Sequence, residues 1–105
     1  MTKNRAGQID CAAINRAALA DLPSAMRRWL PAAKVIGEEL VARNPTRTDR
    51  RPGSFKVNVR TGRWADFATS DRGADPVSLV AYLDGCGQVE AARRLAEALG
   101  IDAEA

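Results

Sequence analysis

Histidine is absent from the 105 residues. That absence removes the commonest general base and the commonest metal ligand. Cysteine is nearly absent: Cys11 and Cys86 lie far apart and no Cys-x-x-Cys occurs, so no standard zinc shell can be assembled from this chain. No apolar run approaches the roughly 20 residues that span a bilayer. No apolar segment follows Met1 as in a secretory leader. The expected compartment is therefore the cytoplasm, with both thiols reduced and no membrane partner. Ser54, Ser70 and Ser78 have no imidazole to activate them. Asp75 reads better as a helix cap, and Asp66 as an arginine partner, than either reads as a Mg²⁺ ligand. The chain is thus expected to be no enzyme by itself, with no catalytic residue, no metal and no cofactor. Aromatics are scarce as well, at two Trp, two Phe and one Tyr, so each one matters to either core or binding.

Arginine and alanine are abundant. Thirteen of the sixteen cations are arginine, and twenty residues are alanine, which buries little surface. A modest core must then come from the larger apolar residues, Ile14, Leu22, Met26, Trp29, Leu30, Val35, Ile36, Leu40, Phe55, Val57, Trp64, Phe67, Val77, Val80 and Leu95 among them. Charge is uneven. Residues 43–72 hold eight cations and three anions, a net of +5, whereas residues 73–105 hold two cations and six anions, a net of −4. Such segregation predicts an anionic partner for the middle of the chain.

The length suits a single domain. Residues 1–8 are read as a flexible N-terminus, 9–101 as the domain and 102–105 as a tail. Asp10 predicts a cap for a helix over 11–20, and Pro23 suits the first turn of a second helix over 24–30. Residues 35–42 read as one extended segment kinked at Gly37, and 43–54 as a loop. Phe55, Val57 and Val59 alternate with Lys56 and Asn58, the pattern of a half-buried strand. Arg60, Thr61 and Gly62 fit a hairpin loop, with 63–67 as the return strand. A polar link then reaches Asp75-Pro76, cap and first residue of a helix to about Asp84. A last helix over 88–99 carries Val89, Ala92, Leu95, Ala96 and Leu99 as its stripe and ends at Gly100. The expected class is α+β: a small antiparallel sheet around the 55–67 hairpin, with helices from both termini.

Pro52-Gly53-Ser54-Phe55-Lys56-Val57-Asn58, then Thr61-Gly62-Arg63-Trp64, Phe67, Arg72-Gly73-Ala74-Asp75 and Glu90-Ala91-Ala92-Arg93-Arg94-Leu95-Ala96-Glu97 resemble the amino-terminal zinc-ribbon domain of bacterial and phage primases. The resemblance covers about residues 40–101 and leaves 9–39 outside. It implies a metal-free form, because the two ligand knuckles fall near Ala42–Pro45 and near Asp66 and Thr69, where no ligand set stands. Something must replace the metal, and Phe55, Trp64 and Phe67 packing against the helices is the expected substitute. The resemblance also implies a DNA-binding accessory of a primase, replication or mobile-element protein, with catalysis in a separate domain.

Arg47, Arg50, Arg51, Lys56, Arg60, Arg63 and Arg72 are the candidate nucleic-acid contacts, because a guanidinium donates bidentate hydrogen bonds to phosphate. Trp64 and Phe67 are candidates for stacking on unpaired bases, against the competing expectation that small domains keep their aromatics inside. DNA, single-stranded by preference, or RNA is the expected partner. The alternative is a protein-interaction adaptor, with Glu38-Glu39 and the acidic C-terminal half as its surface and an N-terminal helical extension that docks a replication partner or pairs two copies through Met26 and Trp29.

Overall fold

A computed structural model describes residues 8–47 and 53–104. Helix α1 (Cys11–Leu19) starts at Asp10, whose carboxylate accepts from the Ala13 N–H, as the sequence predicts. The second helix begins earlier than expected. Asp21 caps it, Pro23 sits in its first turn, and α2 (Leu22–Ala25) ends after one turn. Met26 and Leu30 beyond it are buried.

Five strands follow, β1 (Lys34–Ile36), β2 (Glu39–Ala42), β3 (Phe55–Asn58), β4 (Trp64–Asp66) and β5 (Asp71–Gly73). They form one antiparallel sheet in sequence order. The segment 35–42 is therefore two strands rather than one kinked segment. Gly37, at φ +64°, is the first residue of a two-residue loop closed by the Ile36–Glu39 pair, the place such hairpins give to glycine. The polar link after Phe67 also hides a strand: β5 is Asp-Arg-Gly and pairs with β4 through its backbone. Gly62 turns the central hairpin at φ +78°, as its position predicts.

Helix α3 (Pro76–Asp84) carries a capping box, with the Asp75 carboxylate on the Ser78 N–H and the Ser78 hydroxyl on the Asp75 N–H. Asn15 on α1 accepts from the Val77 N–H and so occupies another donor of that first turn. Helix α4 (Gln88–Leu99) ends at left-handed Gly100, and the Ile101 N–H reaches back to the Ala96 carbonyl. Its inward face is Ala91, Ala92, Leu95 and Ala96, and Val89 is exposed, contrary to the expected stripe. The tail is also corrected. Ile9 and Glu104 form a bridge, and the Asp10 N–H donates to the Ala103 carbonyl, so both ends of the domain are pinned together.

The molecule is an α+β fold in which helices cover one side of the sheet. Paired residues in an antiparallel sheet share a face. The covered face carries the row Leu40, Val57 and Trp64 and the row Ala42, Phe55 and Asp66, all buried. Leu79, which the sequence reading passed over, joins Val77 and Val80 beneath it. No helix among the described residues is long and apolar enough to cross a membrane.

Candidate nucleic-acid interface

None of the described helices covers the opposite face of the sheet. Its middle row runs Lys34, Val41, Lys56, Ala65 and Arg72, one residue from each strand. With strands about 4.8 Å apart, that row spans about 19 Å and alternates cation with small apolar residue. Alternation along β4 places Arg63 and Phe67 on the same side as Ala65. Glu39, Lys56, Asn58, Arg63, Ala65 and Phe67 accordingly line one shallow hollow there.

The three aromatics given roles from the sequence divide. Trp64 is 5% exposed and lies 4.6 Å, ring centre to ring centre, from Tyr82 on α3, while its indole N–H donates to the Ser78 hydroxyl. Phe55 completes this cluster at 6.2 Å from Trp64 and 6.3 Å from Tyr82. Trp64 is therefore core and is withdrawn as a stacking candidate. Phe67 is 71% exposed, so it is neither core nor part of what replaces a metal. Its place on the open face keeps it as a stacking candidate.

The cations divide too. Arg47 is drawn away from the open face. Its Nε and Nη2 clasp both oxygens of Asp66 at 2.8 and 3.2 Å, and Nη2 also reaches Ser54. Asp66 is fully buried and takes further bonds from the Asn44 amide at 2.8 Å and the Ala68 N–H at 2.9 Å. The Arg47 hydrogen bonds dominate and outweigh burial, holding the Asp66 carboxyl well below the usual carboxylate range. Asn44 in turn donates to the Tyr82 hydroxyl, which donates to Asp71, and accepts twice from Thr46. The two segments at which the resemblance puts ligand knuckles, 42–45 and 66–69, are thus tied by a polar clasp of Asn44, Arg47 and Asp66. The sequence reading anticipated Asp66 as an arginine partner but missed Asn44 and Tyr82; a lone Asn before Pro45 and the single tyrosine were the available signals.

Arg60 is exposed and pairs with Glu38 at 2.9 Å, and Lys56 lies 3.6 Å from Glu39. Exposed pairs of this kind hold about 0–1 kcal/mol and exchange readily for another anion. Among the described residues, Arg63 and Arg72 have no ion-pair partner. Arg50 and Arg51 lie outside the described residues. Among the described residues no group of three or more His, Cys, Asp or Glu side chains is placed to hold a metal ion.

The proposed docking pair Met26 and Trp29 is not available as a patch. Met26 is fully buried, and the half-buried Trp29 donates to Asp84, which also receives Arg94. Partial burial opposes ionisation of Asp84, but those two donors outweigh it and lower its pKa. Two exposed apolar residues lie side by side in sequence on β1, where Val35 and Ile36 are 52% and 63% exposed.

No protein-family model and no curated protein matches the chain.

Proposed function

We propose that the protein is a non-catalytic nucleic-acid-binding module that takes an unpaired strand on the open face of its sheet. Phe67 carries this reading: a large aromatic, 71% exposed, stands just past the end of β4 on the open face, beside Lys56, Arg63 and Arg72. An exposed ring beside cations suits a ligand with flat apolar surface and negative charge. Unpaired bases on a phosphate backbone combine both, and stacking is sequence-tolerant because every base has a π-face. The likeness of residues 40–101 to primase zinc-ribbon domains supports a setting in DNA replication or a mobile element. Binding differs from the first expectation in its residues: the sheet face replaces the hairpin tip and loop, and Arg47 serves the fold.

Fluorescence anisotropy of labelled single-stranded and duplex oligonucleotides, at low and physiological salt, tests the reading. Saturable, salt-sensitive binding of single strands is expected, and Arg63→Glu with Arg72→Glu should abolish it while leaving the melting temperature within a few degrees. No saturable binding at low salt would sink the proposal.

One observation favours a second reading, a protein adaptor. The Ile36–Glu39 pair closes its hairpin, so the N–H and C=O of Val35 point to the free edge. An edge bearing exposed Val35 and Ile36 invites strand addition by a partner. In that case the domain would bind no oligonucleotide, and Val35→Pro would abolish partner capture.

A further inference from the structure

Resting on the nucleic-acid reading, we infer that Phe67 is a wedge that enters one step of a bound single strand and separates two successive bases. Two hollows, of about 190 and 280 Å³, open on the sheet face, and Ala65 and Phe67 line both. The ring therefore stands as a partition over a small-residue floor. Clefts for drug-sized ligands run to about 300–1,000 Å³; each hollow is smaller, a size suited to one planar ring system.

Charge on the two sides fits a backbone passing over the partition. Lys56 and Arg63 border one hollow, together with Glu39, which Lys56 pairs at 3.6 Å, and Arg72 borders the other. The carboxylates near the second hollow are already engaged: Asp66 with Arg47 and Asn44, Asp71 with the Tyr82 hydroxyl. Arg47 neutralises Asp66, and Asp71 keeps its charge but shares a face with Asp66, on the covered side of the sheet.

A wedge must be stiff, and this one is fixed at its base. The Phe67 N–H donates to the Ser54 carbonyl at 2.8 Å, locking its backbone to the chain that enters β3. The next three N–H groups all end on Asp66, Ala68 on the carboxylate and Thr69 and Ser70 on the carbonyl. Ser70, at φ +71°, is the one non-glycine described residue in the left-handed region, and it lines the second hollow. Strain of this kind persists where surrounding bonds enforce it, commonly at binding sites.

The experiment uses a single-stranded oligothymidylate with two adjacent 2-aminopurines at its centre and a separate end label for anisotropy. Neighbouring 2-aminopurines quench each other while stacked. The wild-type protein should raise their emission severalfold as binding saturates. Phe67→Ala and Phe67→Leu should weaken binding about fivefold or more, and at saturating protein they should give no rise. Circular dichroism of both variants should match the wild type, because the ring is exposed. Saturable anisotropy with unchanged 2-aminopurine emission, or a rise that persists in Phe67→Ala, would overturn the wedge and leave the binding reading standing. Absence of any anisotropy change would overturn both.

Discussion

Two aromatics three residues apart have opposite fates, and the reason is the period of a strand. Trp64 and Asp66 point to the helices and Ala65 and Phe67 to the open side. Composition alone argued for placing both rings inside, because a small domain has few large side chains; register decided against it. Trp64→Ala is expected to cost about 3–5 kcal/mol, and Phe67→Ala to stay within about 0.5 kcal/mol, as read from urea midpoints. Equal effects would mean the faces are assigned wrongly. Asp66 makes a second prediction. Its folded-state pKa lies below the roughly 3.9 of an unfolded chain. The unfolded chain therefore binds the proton first, so the clasp contributes fully near neutral pH and its contribution falls as pH drops through about 4 and below. Asp66→Asn removes the buried charge to which Arg47, Asn44 and the Ala68 N–H all donate, and should cost about 1–3 kcal/mol at pH 7. The same variant should lose less stability than wild type between pH 5 and 3. An acid transition identical to wild type would remove Asp66 from that role.

At the level of elements, what could be read from the sequence was whatever rested on local chemistry. Asp10, Asp75 with Pro76, and Gly100 fix helix ends through their own side chains or backbone freedom, and those ends fall where the sequence put them. Alternation over Phe55–Asn58 gave the central strand. Of the other strands, β1 was read only as part of one extended segment with β2, and β5 was hidden. Lys34–Ile36 has no alternation in burial because it is an edge, and Asp71–Gly73 has no apolar residue because it needs only backbone bonds to β4. Part of the candidate site was hidden by the same cause. Which cations share a face depends on long-range register, so Arg47 could not be separated from Arg63 and Arg72 before pairing was known. The central hairpin carries a further test. A Cβ on Gly62 would lie 2.6 Å from Cδ of Pro76, in addition to the left-handed backbone, whereas one on Gly37 would meet open space. Gly37→Ala should therefore cost about 1–2 kcal/mol from backbone strain alone. Gly62→Ala should cost clearly more, because it also pushes the hairpin off the start of α3. Thermal melts of the two variants in parallel decide this, and an equal loss would argue against close contact between hairpin and helix.

Over the whole molecule, the segregated charge acquires a geometry. The acidic C-terminal third forms α3, which meets the covered side of the sheet through Tyr82 and Ser78, and α4, which packs on α3 and α1. Lys56, Arg63 and Arg72 of the middle third lie on the other side. A strand lying on the open face would meet Lys34, Lys56, Arg63 and Arg72 and stay clear of the acidic helices. Each phosphate neutralised on a single strand lowers log K by about 0.7 per unit of log salt. Four contacts thus predict a slope of about −3 for single-stranded DNA, and Arg72→Gln should reduce its size by nearly one contact. Glu39 provides the opposite lever. It sits on the same face as Asn58 and holds Lys56 at 3.6 Å, so Glu39→Gln releases that cation and removes a charge that repels phosphate. Binding should tighten several-fold at low salt, with a steeper slope, in the same anisotropy titration. If Glu39→Gln changed neither affinity nor slope while Arg63→Glu with Arg72→Glu still abolished binding, the strand would have to run along β4 and β5 and leave the β2–β3 half of the face uncovered.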